Sequence, residues 1–221
     1  MADPETRHSH ALEADLITDP ILLAKQEALN GLRQFDAVVE MVSAFLDPQR
    51  QPFKLRPSHL LHLHRIALMG ISQYAGNYRP SSIEIGGSRH QPPGAFEVPE
   101  HVEQLCDYIN EQWQQKSPLH LAAYTLWKLN WIHPFTDGNG RTSRAASYLI
   151  LCVKLGYLLP GRKTIPDQIA ADKTPYYKAL EAADRAWEQG RIDLTNLKKI
   201  LESMLAAQLI AVHEDSHFGD E

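Results

Sequence analysis

Apolar positions recur at helical spacing along most of this 221-residue chain. After Thr18-Asp19-Pro20, with Asp19 as cap and Pro20 at the first helical position, a helix is predicted to about Leu46. Its apolar set is Leu22, Leu23, Leu29, Leu32, Phe35, Val38, Val39, Val42 and Phe45, interrupted by Gly31. Pro57-Ser58 opens a second helix, to about Tyr74, on Leu60, Leu61, Leu63, Ile66, Leu68 and Ile71. Further helices are predicted at Pro99–Gln115, Pro118–Ile132, Asn139–Leu155, Pro175–Glu188 and Leu194–Val212. The stretch Ala145 to Leu155 is apolar nearly all round, the mark of a central, buried helix.

Residues 75–97 break the pattern. Alternation is brief, around Ile83 and Ile85, and Gly86-Gly87 reads as a tight turn. The expected fold is therefore an all-α bundle around a central helix, with a short β-hairpin flap. Residues 1–18 are polar, His-rich and without period, and read as a mobile leader. Residues 19–56 form an N-terminal helical extension, 57–190 the core, 191–212 a C-terminal helix and 213–221 an acidic tail that frays.

Charge narrows the function classes. With 22 basic and 27 acidic residues the net charge is −5, which argues against a protein that grips a nucleic-acid backbone. A small local anion site is still open. No apolar run is long enough to span a membrane, and the first residues contain no signal-like apolar region. Cys106 and Cys152 sit in apolar, helix-like contexts and read as buried thiols of a reducing cytoplasm.

The chemistry concentrates in His133-Pro-Phe-Thr-Asp-Gly-Asn-Gly-Arg-Thr-Ser-Arg144. Pro134 disfavours the α conformation at His133, so the helix should end there and expose an imidazole at its junction with a loop. Gly138-Asn139-Gly140 permits tight turns and opens the next helix, whose free N–H groups make an anion site. Arg141 and Arg144 then begin a core helix, against both desolvation and the helix dipole. A bound polyphosphate resolves both conflicts. Asp137 adds the single carboxylate that a nucleotide-borne magnesium ion needs. A base, a metal ligand, a glycine cradle and two arginines in one segment describe phosphoryl or nucleotidyl transfer. Phe135 reads as an apolar plug under the loop.

This segment resembles the signature of the Fic family, His-x-Phe-x-(Asp/Glu)-Gly-Asn-Gly-Arg-x-x-Arg, at every fixed position. The flap around Ile83–His90 and Thr174-Pro-Tyr-Tyr-Lys-Ala-Leu180 look like Fic neighbourhoods too. The resemblance implies a Fic-type helical core that transfers AMP from ATP to a Tyr, Thr or Ser hydroxyl of a protein target. It implies His133 as general base, Asp137 as Mg²⁺ ligand, and Gly138, Asn139 and Gly140 as the anion cradle. Arg141 and Arg144 would grip the outer phosphates. The flap, with Ile83 and Ile85, would clamp an extended target by strand-like pairing. Arg89 and His90 are either target contacts or a solvated turn; Tyr176 and Tyr177 either line the nucleoside pocket or belong to the core. Related enzymes transfer UMP, phosphocholine or phosphate, or remove AMP, and a non-catalytic partner-binding module is the alternative class. Self-modification and a homo-oligomer both stay open.

Many Fic proteins are restrained by a helix bearing (Ser/Thr)-x-x-x-Glu-(Gly/Asn). Ser9 to Glu13 matches in part but is followed by Ala14. Glu27 in Gln26-Glu-Ala-Leu-Asn-Gly31 is the second candidate, with Leu23 where Ser or Thr should stand; a solvated helix face is its other reading. Glu27 would supply Arg144 with an anion when ATP is absent. His59, His62 and His64 lack a carboxylate to complete a metal site and read as a helix face. No Cys-x-x-Cys pair suggests zinc.

Overall fold

The computed structural model describes residues 16–217 and the backbone of the strand Ser9–His10, with side chains described for residues 16–213. The helices are α1 (Pro20–Leu46), α2 (Pro57–Leu68), α3 (Val98–Glu111), α4 (Pro118–Ile132), α5 (Asn139–Leu155), α6 (Ile165–Ala171), α7 (Thr174–Glu188) and α8 (Thr195–His217). The strands are β1 (Ser9–His10) and β2 (Glu84–Ile85), and one 3₁₀ turn covers Ala95–Glu97. The fold class is all-α, as the periodicity predicts. The short α6, whose N-cap is Thr164, is an addition that the apolar pattern does not announce.

The core is built on α4 and α5, which share the most extensive interface in the molecule. Both are apolar almost all round: α4 buries every residue from Leu121 to Leu129, and α5 every residue from Ala145 to Val153. Neither needs a polar face, because neighbours cover every side. α1, α2 and α6 pack on α5, while α3, α7 and α8 pack on α4. Gly156, in the left-handed conformation at φ 88°, ends α5.

α1 departs from its predicted face. Leu22, Leu29, Leu32 and Phe35 stay exposed, whereas Asn30 and Gln34 are buried with Ala37, Val38 and Val42. The buried amides have work there. Asn30 Nδ2 donates to the Met69 carbonyl at 2.8 Å and Gln34 Nε2 to the Leu63 carbonyl at 3.0 Å. The first bond satisfies the carbonyl that caps α2, and the second adds a donor to a carbonyl within the helix. α2 accordingly stops at Leu68 rather than Tyr74, and Gly70, at φ 75°, turns the chain away.

The flap differs from the expected hairpin. The Gly86-Gly87 turn forms, with Ser88 N–H donating to the Ile85 carbonyl at 3.1 Å, but no returning strand follows it. β2 pairs instead with β1, antiparallel, Ser9 opposite Ile85 and His10 opposite Glu84. Pro92 and Pro93 on the return limb cannot donate to a ladder. Apart from Ser9–His10, residues 1–15 lie outside the described residues, as do Glu13 and the acidic end from residue 218.

Candidate active site

α4 ends at His133, the one non-glycine residue with positive φ (50°) among the described residues. Pro134 stops the helix as expected, but His133 takes the left-handed conformation and is buried, at 8% exposure, rather than exposed. That conformation costs energy and is held from outside. The buried Arg79 donates from Nε to the His133 carbonyl at 2.8 Å, and its backbone N–H donates to the Pro134 carbonyl at 2.9 Å. Its other nitrogens donate to the carbonyls of Ser81, at 2.9 Å, and Pro93. One guanidinium thus ties both limbs of the flap to the loop that bears the imidazole.

Two side chains set the rest of the loop. Asn139 bridges it, accepting from Phe135 N–H at 2.9 Å and donating to the Phe135 carbonyl at 2.8 Å. Phe135 is buried and stacks on His64, ring centroids 3.7 Å apart. His64 Nδ1 accepts from Gly76 N–H, so its proton lies on Nε2, which reaches the Asp137 carbonyl at 3.0 Å. Burial lowers this imidazole to about 4, so it is neutral. Gly138 caps α5 at φ 73°, and a Cβ there would lie 2.2 Å from Leu68 Cδ2. Glycine is required at this position.

His133 titrates at about 4, lowered chiefly by burial and further by Arg79 and His90. Nδ1 lies 3.3 Å from the Asn130 carbonyl, a contact that favours the proton on Nδ1 and leaves Nε2 basic.

The imidazole opens into a cleft of about 410 Å³. Around it stand Asp137, Gly138, Asn139, Gly140, Arg141, Arg144, Tyr177, Ile85, His90 and Glu27. Ile83 is buried in the core beneath, and Arg89 is exposed outside the lining. His90 is pinned, its Nε2 2.7 Å from the Trp131 carbonyl. Tyr176 is both core and lining: it is buried, and Asn130 Nδ2 donates to its hydroxyl at 2.8 Å. At the far end, Trp127 Nε1 donates to Asp184 Oδ1 at 2.8 Å.

The two arginines differ. Arg141 forks between Asp137 Oδ2 at 2.6 Å and Glu27 Oε1 at 3.0 Å. Glu27 therefore pairs with Arg141, not with Arg144. Arg144 has no ion-pair or hydrogen-bond partner among the described residues, and burial lowers its pKa. It faces the cleft beside the unpaired N–H groups that begin α5. A cation in this position demands an anion.

Asp137 offers a hard oxygen at the cleft rim, and no cluster of three His, Cys, Asp or Glu forms among the described residues. This donor set fits a magnesium ion delivered with phosphates, not a resident metal. Arg79, His64 and Asn130 are the contributors that sequence reasoning misses. His64 reads as one of three histidines on a helix face, and only its zero exposure separates it from them.

Residues 54–151 match the model of the Fic/DOC family. The chain is 30% identical over 157 residues to a protein adenylyltransferase Fic of Drosophila willistoni and 34% identical to that of Drosophila mojavensis. Each match covers 70% of this chain and 29% of the relative, so the chain spans less than a third of the length of either. Among solved structures, Fic-1 of C. elegans aligns with a TM-score of 0.63 at 23% identity, over 85% of this chain and 52% of that one. BepC of Bartonella tribocorum, with bound AMPPNP, aligns with a TM-score of 0.53 at 18% identity, over 85% of this chain and 88% of that one. Motif, fold and relatives agree, and the chain belongs to the Fic/DOC family.

Proposed function

We propose that this cleft transfers AMP from ATP to a Tyr, Thr or Ser hydroxyl of a protein, with His133 as general base. The observation that carries it is Arg144, a desolvated cation with no ion pair among the described residues, set beside the N-terminus of α5 in the same cleft as a neutral imidazole.

The phosphates of ATP lie on the α5 N-terminus, where Gly138 and Gly140 let the backbone approach closely. Arg141 and Arg144 hold the outer phosphates and fix the line of displacement. His133 Nε2 takes the proton of the incoming hydroxyl as its oxygen bonds to the α-phosphorus. The bond from the α-phosphorus to the bridging oxygen breaks, and pyrophosphate leaves. Asp137 would hold Mg²⁺, which neutralises phosphate charge when bound. Tyr177 borders the nucleoside, and the edge of β2 receives the target as an extended segment. Glu27 restrains the reaction by its bond to Arg141, which must be released before Arg141 can meet phosphate. The two unpaired thiols, Cys106 and Cys152, suit a reducing cytoplasm.

The test is His133→Ala, assayed for transfer and for binding of a non-hydrolysable ATP analogue. Transfer falls by about 10²- to 10⁴-fold while the analogue still binds, because a base acts only in the transition state. Transfer at the wild-type rate removes His133 from the role of base.

A further inference from the structure

Leu32 and Phe35 of α1 are exposed, yet they do not stand on a convex surface. With Val38 of α1, Ala145 and Tyr148 of α5 and Pro166 of α6, they wall a second cavity of about 530 Å³. It is larger than the cleft that holds His133, and the two share only Arg141 and Arg144. A cavity of this size and apolar lining suits a small organic ligand. Gly31 also borders it, and a Cβ added there meets no atom within 4 Å, so the space beside the α1 backbone is open. The charged side chains of the lining are three arginines and one aspartate. Arg141 is paired with Glu27 and Asp137, and Asp167 accepts from the Thr164 hydroxyl at 2.5 Å in the cap of α6. Arg162 is exposed. Arg144 is desolvated and makes no ion pair among the described residues.

We propose that this cavity binds an amphipathic carboxylate, its apolar chain against Leu32, Phe35 and Val38 and its head on Arg144, and that the bound carboxylate opposes ATP. The walls decide the body of the ligand: aliphatic and aromatic side chains favour a hydrocarbon chain and leave the hydroxyls of a sugar or a second phosphate without partners. The free cation decides the head. One desolvated guanidinium calls for one negative charge, and its planar fork matches the two oxygens of a carboxylate. The opposition follows from the sharing of Arg144 and rests on the reading above, in which that side chain holds an outer phosphate; binding of the carboxylate does not depend on that reading. A guanidinium engaged from one cavity is lost to the other, and the coupling is reciprocal by linkage.

Calorimetric titration of the full chain with decanoate tests this. Decanoate is expected to bind one to one, 1-decanol about tenfold more weakly or worse, and acetate not measurably. Gly31→Phe, which fills the open space, is expected to lose decanoate while its melting temperature and its affinity for a non-hydrolysable ATP analogue stay at the wild-type values. Phe35→Ser is expected to weaken decanoate about tenfold by removing an exposed wall. Saturation with the ATP analogue is expected to weaken decanoate about fivefold or more, and decanoate to weaken the analogue by the same factor. No binding of decanoate, or equal binding in Gly31→Phe, overturns the site. Decanol as tight as decanoate overturns the head on Arg144, and independent binding of decanoate and the analogue overturns the opposition. Wild-type dimers in sedimentation that Gly31→Phe dissociates would give the cavity to a second copy of the chain and overturn the ligand. All of these are read from binding alone, so failure here leaves the adenylyltransferase reading standing, and absence of AMP transfer leaves the carboxylate site standing.

Discussion

At the residue scale the decisive group is His133. Its imidazole titrates at about 4, well below the ordinary histidine value, so it is neutral and basic across the physiological range. A base that must be unprotonated stays competent until pH falls toward its own pKa. The acid limb of kcat/KM, which reports the free enzyme, is therefore expected far below pH 6.5, and pH–rate profiles measure it directly. A limb near 6.5 would mean that the imidazole is solvated in the working enzyme. His64, also lowered to about 4, acts on stability. Its folded-state value lies below its unfolded one, so its contribution is complete above about pH 6.5 and is lost as pH falls toward 4. Gly138 is a sharper case. Gly138→Ala combines a strained φ of 73° with a methyl 2.2 Å from Leu68 Cδ2. A loss of roughly 2 kcal/mol or more is expected in denaturant unfolding.

At the scale of elements, the loop from His133 to Asn139 is a rigid piece, locked by Asn139 from within and by His64 and Arg79 from outside. The motif's polar residues were legible in the sequence because catalysis restricts residue type and spacing together. Their supports were not. Arg79 and His64 act on backbone carbonyls far along the chain, and a carbonyl leaves no mark in sequence. The same reason hides the burial of Asn30 and Gln34 on α1, where amide bonds to carbonyls of α2 and of its cap Met69 override the apolar pattern. Arg79→Gln shortens the reach to the Ser81 and Pro93 carbonyls. Faster hydrogen exchange over residues 81–93 is expected, with a raised KM for the acceptor and a smaller change in ATP affinity. Unchanged exchange in the flap would show that Arg79 does not hold it.

At the scale of the whole molecule, helical periodicity revealed the bundle, since α4 and α5 are apolar on all sides and must lie inside. It did not reveal which neighbour covers which face, nor that the N-terminal strand closes the flap, because long-range pairing of two residues has no local pattern. The one ionic link from α1 to the motif is Glu27 to Arg141, 3.0 Å across the cleft. Glu27 is partly exposed, so the pair adds little to stability and its effect is on access to Arg141. Glu27→Gly is expected to raise AMP transfer severalfold while the melting temperature falls by only about 2–4 °C, the cost of a glycine inside α1. An unchanged rate and ATP affinity would remove Glu27 from regulation.

Which part of ATP moves is the most direct question for this cleft. Parallel incubations of the chain with Mg²⁺ and ATP labelled at either the α- or the γ-phosphate answer it, read by protein-bound label and intact mass. Label from the α-position, with a mass increase of one AMP that disappears in His133→Ala, is the predicted result. Label from the γ-position alone, with a mass increase of one phosphate, would contradict nucleotidyl transfer and make the cleft a site of phosphorylation.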